Sequence, residues 1–313
     1  TPTRPWTDIP GPSSLPIIGD LYKLQGTELT QKLHKMYGPI VRLDAFFGLD
    51  PMIFLYDAEA SSQILRGENQ MPIRPGFRSL EYYRKNIKKN KAPNSPTGLI
   101  TDHGERWQEF RSAVQPVLLQ PKTMRLYIKT IDDVAANSVL GGLYLIATNP
   151  DKQAKLREEL KSGSEKKPYL KACVKESIRM MPVAAGNFRE VTKDYNILGY
   201  HIPPGVIAFV HQDMSRMEQY FVRPNEFLPE RWIAEKDDPL YYRNAHPFAY
   251  NPFGFGVRSC IGRRIAEMEL ETFIARAVEH FEIGWFGPPP KVVQTSVNYV
   301  KGPLNFKFKD VNK

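Results

Sequence analysis

Apolar residues recur at helical spacing in several stretches of the chain, and short β-rich runs separate them. Thr30 to Tyr37 predicts a helix that Gly38-Pro39 ends. Ile40 to Leu43 and Met52 to Tyr56, joined through Gly48, Asp50 and Pro51, predict a hairpin. Asp57 caps a helix through Ala58, Ile64 and Leu65. Glu81 to Lys91 mixes aromatics with lysines and reads as a solvated loop. Thr101 and Asp102 are candidate caps for a helix carrying Trp107 and Arg111, which share a face four residues apart.

The second half is more regular. Ala136 to Thr148 predicts an apolar helix stopped at Asn149-Pro150, Asp151 to Leu160 a charged one, and Tyr169 to Met181 a third, with Val174, Ile178 and Met181 inward. Phe188 to Val191 and Ile202 to Val210 read as strands, with Pro203-Pro204-Gly205 as a turn. A last helix shows Ile265, Met268, Phe273, Ile274, Ala277 and Val278 as its apolar stripe, and a final strand alternates through Asn305 to Phe308.

The chemistry concentrates just before that last helix, in Phe253-Gly254-Phe255-Gly256-Val257-Arg258-Ser259-Cys260-Ile261-Gly262-Arg263-Arg264. The glycines allow a tight turn that brings the backbone close to a flat ligand. Cys260 then points out of the turn near a helix N-terminus, where thiolate is favoured over thiol. A lone cysteine is more commonly a small buried hydrophobe, and it is the neighbouring residues that argue otherwise. A phosphate-binding glycine loop is excluded, because Ser259 stands in place of the third glycine and no β-branched strand precedes it.

Composition sets outer bounds. The 313 residues are 42% hydrophobic and 25% charged, enough to build a core. The net charge of +9 admits an acidic partner or a membrane surface. Nucleic acid is rejected, because the basic residues are spread along the chain with no binding motif. Cys173 and Cys260 are the two cysteines, so no disulfide framework exists. The longest apolar runs are too short to span a bilayer. The chain starts at Thr1 rather than methionine, which leaves room for an upstream targeting segment.

The Cys260 segment resembles the haem-binding loop of the cytochrome P450 family, with Phe253, Gly256, Arg258, Cys260 and Gly262 at that motif's spacing. The resemblance extends to the proline-rich start Ile9-Pro10-Gly11-Pro12, the Trp107 and Arg111 pair, the Glu176-x-x-Arg179 helix, and Phe227 to Trp232. It implies a mainly α fold with small β-sheets (α+β), internally truncated. Residues 1–134 would form an N-terminal part and 135–313 a haem-binding part of one compact domain. It implies haem b with Cys260 as axial thiolate, Phe253 and Gly254 beside it, and propionates held by Trp107, Arg111, Arg189 and Arg258. Glu176, Arg179 and Arg231 would form a structural triad locking the Cys260 loop, and Val183 to Asn187 would line the substrate side of the haem.

Arg263-Arg264 directly after Cys260-Ile261-Gly262 resembles the mitochondrial branch in animals, insects among them. That branch implies an acidic iron–sulfur ferredoxin docked by Lys171, Lys175, Arg263 and Arg264. It also implies a lipophilic, steroid-like substrate and a peripheral place on the matrix side of the inner mitochondrial membrane. One departure cuts across this. Only 69 positions separate Trp107 from Glu176, where the family places several helices, one carrying an acid followed by threonine. Asp133 aligns with the acid, but Val134 and Ala135 stand where hydroxyls should be, and a shorter join falls at Leu160 to Pro168. Two functions follow: a haem-thiolate monooxygenase, or a truncated, non-catalytic isoform that binds haem weakly and at most docks the redox partner.

Overall fold

The computed structural model describes residues 3–12, 29–44, 50–75, 78–88, 97–118, 132–293 and 297–311. They form two compact units, each assembled from separated stretches. Unit one takes residues 1–123, 186–211 and 253–261; unit two takes 124–185, 212–252 and 262–313.

Unit one begins with β1 (Arg4–Pro5), α1 (Leu29–Tyr37), β2 (Ile40–Leu43) and β3 (Met52–Leu55). The expected hairpin is present, with Ile40 opposite Leu55 and Leu43 opposite Met52, while its tip and Pro16 lie outside the described residues. Asp57 caps α2 (Ala58–Arg66), its Oδ1 accepting from the Ala60 N–H at 2.8 Å. The basic aromatic run is helical rather than a loop as far as Ile87, forming α3 (Arg78–Tyr82) and a π-turn over Tyr83–Ile87, and its end at 89–91 lies outside the described residues. Its side chains do face water, with Tyr82 and Tyr83 exposed. Thr101 and Asp102 do not cap α4 (Gly104–Leu118) as expected. Their side chains turn back, Thr101 to Thr97 and Asp102 to Thr97 and Gly98, and Asp102 also pairs with Arg106.

The rest of unit one is β4 (Gly186–Glu190), β5 (Tyr195–Ile197), β6 (Tyr200–Ile202) and β7 (Ile207–His211). The turn expected at Pro203-Pro204-Gly205 interrupts the run from Ile202 to Val210, because the two prolines cannot donate to a ladder. Ile202 therefore ends β6 in a sheet ordered β1-β6-β5, and β7 joins a second sheet ordered β2-β3-β7-β4. Every residue of β7 is buried, so this central strand carries β4 and with it Arg189, opposite Ala208.

Unit two holds α5 (Asp132–Ala147), α6 (Pro150–Lys161), α7 (Pro168–Met180) and α8 (Arg263–His280). β8 (Phe281–Trp285) pairs with β11 (Phe306–Asp310), and β9 (Lys291–Val293) with β10 (Tyr299–Lys301). Leu145, Ile146, Leu156, Leu170, Val174, Ile274 and Val278 make its core. Phe273, expected in the α8 stripe, is 52% exposed, since Ile274 takes the inward position. Gly142 lets α5 approach closely: a Cβ there would lie 2.9 Å from Ile274 Cδ1. Among the described residues no helix is long and apolar enough to cross a membrane.

Gly186 in β4 has no room for a side chain, because a Cβ would lie 2.4 Å from the Val210 carbonyl oxygen. Gly186→Ala should therefore lower the unfolding free energy by about 1–3 kcal/mol in a urea titration. An unchanged midpoint would contradict that packing.

Candidate functional site

A guanidinium leaves water only where its donors find acceptors and its charge finds an answer. Unit one buries two, Arg189 and Arg258, in one cluster. Arg258 closes a short 3-10 turn, Gly256–Arg258, and lies 3.6 Å from the centroid of the Trp107 ring on α4. Its Nε donates to the Pro72 carbonyl at 2.8 Å and its Nη2 to the Asp102 carbonyl at 3.1 Å. Arg111, one turn along α4 from Trp107, donates to the Ser259 carbonyl at 2.9 Å. Arg189 donates to the carbonyls of Phe188 and Phe255, and its Nε donates to Glu68 Oε1.

The cluster is electrostatically one-sided. Burial pushes the Arg258 pKa down to about 9, and the charges of Arg74, Arg189 and Arg111 push the same way against Glu68. Arg74 is lowered by burial and by Arg189 and Arg111, with Cys260 and Glu68 opposing. Burial also lowers Arg111, again against Cys260. Trp107 is 2% exposed, yet its Nε1–H and the Nε of Arg74 are buried with no partner. Trp107 lines a cleft of about 230 Å³ with Gln70, Arg111, Gly256 and Ser259.

The Cys260 loop completes this region. Gly254 and Gly256 have φ of +72° and +69°, which glycine adopts without strain. The Cys260 N–H donates to the Phe253 carbonyl at 2.7 Å, which closes the loop. Cys260 is exposed, Phe253 is half-buried, and a Cβ on Gly254 would meet Asn187 Oδ1 at 2.9 Å. Among the described residues no three His, Cys, Asp or Glu side chains gather around a metal position. A metal at Cys260 would have to bring its remaining ligands with it. Surplus positive charge and an unpaired indole N–H fit the carboxylates of such a group.

Unit two contains a second set of buried guanidiniums, Arg179 and Arg231, which share one buried carboxylate. Glu176 on α7 accepts from Arg179 at 2.8 and 2.9 Å, from Arg231 at 3.0 Å, from Trp232 Nε1 at 2.9 Å and from the Leu228 N–H at 3.1 Å. The remaining donors of Arg179 and Arg231 end on carbonyls of Ser215, Pro224, Val222 and Arg223. Within unit two the bonds of this expected structural triad tie α7 to the segment from Ser215 to Trp232.

The family model for cytochrome P450 matches residues 9–140 and again 133–309. This chain belongs to the cytochrome P450 family. Relatives include the probable cytochrome P450 49a1 of Drosophila melanogaster, 25% identical across 97% of this chain and 83% of that protein. The probable mitochondrial cytochrome P450 12a5 of the same insect is 24% identical across 98% and 91%. Cytochrome P450 CYP12A2 of Musca domestica is 39% identical over 58% of this chain and 37% of its own length. These are insect members, in keeping with the mitochondrial branch that the sequence resembles. The first alignment runs over 489 positions against 313 residues here, so more than a third of its positions have no residue of this chain. The two family matches overlap at 133–140, where the sequence places a join.

Other expected P450 positions are dispersed in unit two. Lys171 is exposed on α7 and Lys175 is half-buried there, its Nζ 5.7 Å from the Trp232 ring centroid. Arg263 and Arg264 are exposed in the first turn of α8, and Arg263 pairs with Glu267. Asp133 falls in the first turn of α5, and its side chain lies outside those described. Sequence reasoning missed Glu68 and Arg74. Their signal is slight: two opposite charges flanking buried Pro72, in a segment without periodicity.

Removing one partner of a buried ion pair costs about 3–5 kcal/mol. Glu176→Ala, which strands two guanidiniums, should abolish the cooperative unfolding transition or shift it by that amount. Trp232→Phe, which removes a single hydrogen bond, should cost about 1–3 kcal/mol.

Proposed function

We propose that the chain is a haem-thiolate protein of the monooxygenase type, with unit one as the haem-holding unit. One observation carries this reading. Separate stretches of unit one deliver four arginines, an unpaired Trp107 N–H and the exposed Cys260 to a single region. Cys260 would be the thiolate ligand of haem b. Trp107, Arg111, Arg189 and Arg258 would hold its propionates, while Gly254 keeps the loop tight and Phe253 shields the sulfur from water. When bound, haem would supply activation of dioxygen by two electrons from a ferredoxin and two protons, with one oxygen atom inserted into a lipophilic, steroid-like substrate and the other released as water.

The protein's own contribution is charge and position. Propionate carboxylates would neutralise guanidiniums that now press on one another, and so bring Arg258 back toward its ordinary pKa. Lys171, Lys175, Arg263 and Arg264 would receive an acidic iron–sulfur ferredoxin, whose encounter the net charge of +9 accelerates. The mitochondrial relatives support a place at the matrix side of the inner membrane with peripheral contact.

A specific observation favours the second reading for turnover. The two family matches overlap at Val134 and Ala135, whose side chains carry no hydroxyl to relay protons. The expected chain is therefore one that binds haem through Cys260 and docks a ferredoxin but turns over weakly. The reduced carbon monoxide spectrum tests this, with Cys260→Ser as control. A strongly red-shifted Soret band lost in the control is expected, and a band at the position given by imidazole or neutral thiol ligation would overturn the assignment. Trp107→Phe, which removes the unpaired donor, should speed haem loss roughly tenfold, by about 1.4 kcal/mol.

A further inference from the structure

The arginine cluster contains a feature that holding a ligand does not by itself require. Glu68, placed just beyond α2 with its side chain 9% exposed, sits among the guanidiniums. Its Oε1 accepts from Arg189 Nε, while its Oε2 is buried with no donor. A Cβ on Gly256, in the turn that leads to Cys260, would lie 3.3 Å from that Oε2. The charges of Arg189, Arg258 and Arg74 all bear on this carboxyl, in opposition to the burial that raises its pKa. The space beside the Glu68 and Arg189 pair is about 10 Å³, at most a single water, so solvent does little to screen it.

Glu176, a carboxylate held within unit two, has both oxygens satisfied, with five hydrogen bonds. Glu68 has one oxygen engaged, and Arg189 does not depend on it for position, because Nη1 and Nη2 are anchored on the Phe188 and Phe255 carbonyls. We propose that Glu68 is an internal counter-anion of the cluster: it takes the place of a ligand carboxylate in the ligand-free chain, and an incoming carboxylate must compete with it. Glu68 thereby sets how tightly the site holds a diacid ligand, and it keeps the four arginines foldable before that ligand arrives. This rests on the reading of unit one as the site of a propionate-bearing group.

The test uses the full chain with two probes, metal-free protoporphyrin IX and its dimethyl ester, titrated by fluorescence in the same mild detergent. The two differ only in the carboxylate charges. Glu68→Gln should bind the diacid roughly tenfold more tightly than the wild type, the size expected for removing one partly screened negative charge. Its affinity for the ester should not change. Glu68→Asp keeps the charge that the fold needs but draws it back from Arg189, and should give a smaller gain, roughly threefold. If the wild type binds the diacid and neither variant binds it more tightly, the counter-anion role is wrong and the propionate site stands. A gain equal for diacid and ester also overturns it, since charge would not be the cause. If neither porphyrin binds to any of the chains, both the counter-anion role and the cofactor reading fail together.

Discussion

Buried guanidinium charge is the constraint on which both units of this protein depend. An arginine taken out of water must have its donors met by carbonyls or carboxylates, and its charge answered nearby. Unit two meets the first requirement around Glu176, where two guanidiniums, an indole N–H and a backbone N–H converge on one carboxylate that both cations share. Unit one meets both requirements only in part. Arg111, Arg189 and Arg258 reach carbonyls, but Arg74 Nε and an indole N–H have no acceptor, and Arg74, Arg189 and Arg258 share Glu68 as their carboxylate. In both units the buried guanidiniums outnumber the carboxylates they face, and the excess is larger in unit one, where an indole N–H also lacks an acceptor.

That difference explains why the β-sheet of unit one matters to function. β7 is buried along its whole length and pairs with β4, so Arg189 is delivered from a strand with little freedom to move. Trp107 and Arg111 come from one face of α4, and Arg258 from a turn that two left-handed glycines permit. Each element is ordinary. What is particular is that four separate chain segments supply cations to one place, at a cost in repulsion that an anionic ligand would relieve.

Much of this was legible in the sequence. Helices with a clear stripe, the hairpin and the Asp57 cap are where the pattern puts them, because each depends on local spacing. The loop around Cys260 and the Glu176 helix stood out through residue types at fixed intervals. Elements that depend on tertiary context were less visible. The two sheets that the runs on either side of Pro203 and Pro204 join could not be read from spacing, and the stretch from Glu81 is helical as far as Ile87 although its side chains are solvated. Phe273 turned outward because its neighbour Ile274 holds the inward position. Glu68 and Arg74 were missed for the same reason. Their meaning lies in what faces them, which a segment without periodicity cannot announce.

The shortened region before α5 bears on turnover rather than on the charge arrangement in unit one. The central claim is that this arrangement belongs to a chain that still holds one haem. Native mass spectrometry of the full chain after incubation with excess haem b tests it most directly. The account predicts a species heavier than the bare chain by one haem, which disappears when Arg258 and Arg189 are both replaced by glutamine. A spectrum of the bare chain alone, or of several haems bound equally well to the double variant, would contradict it.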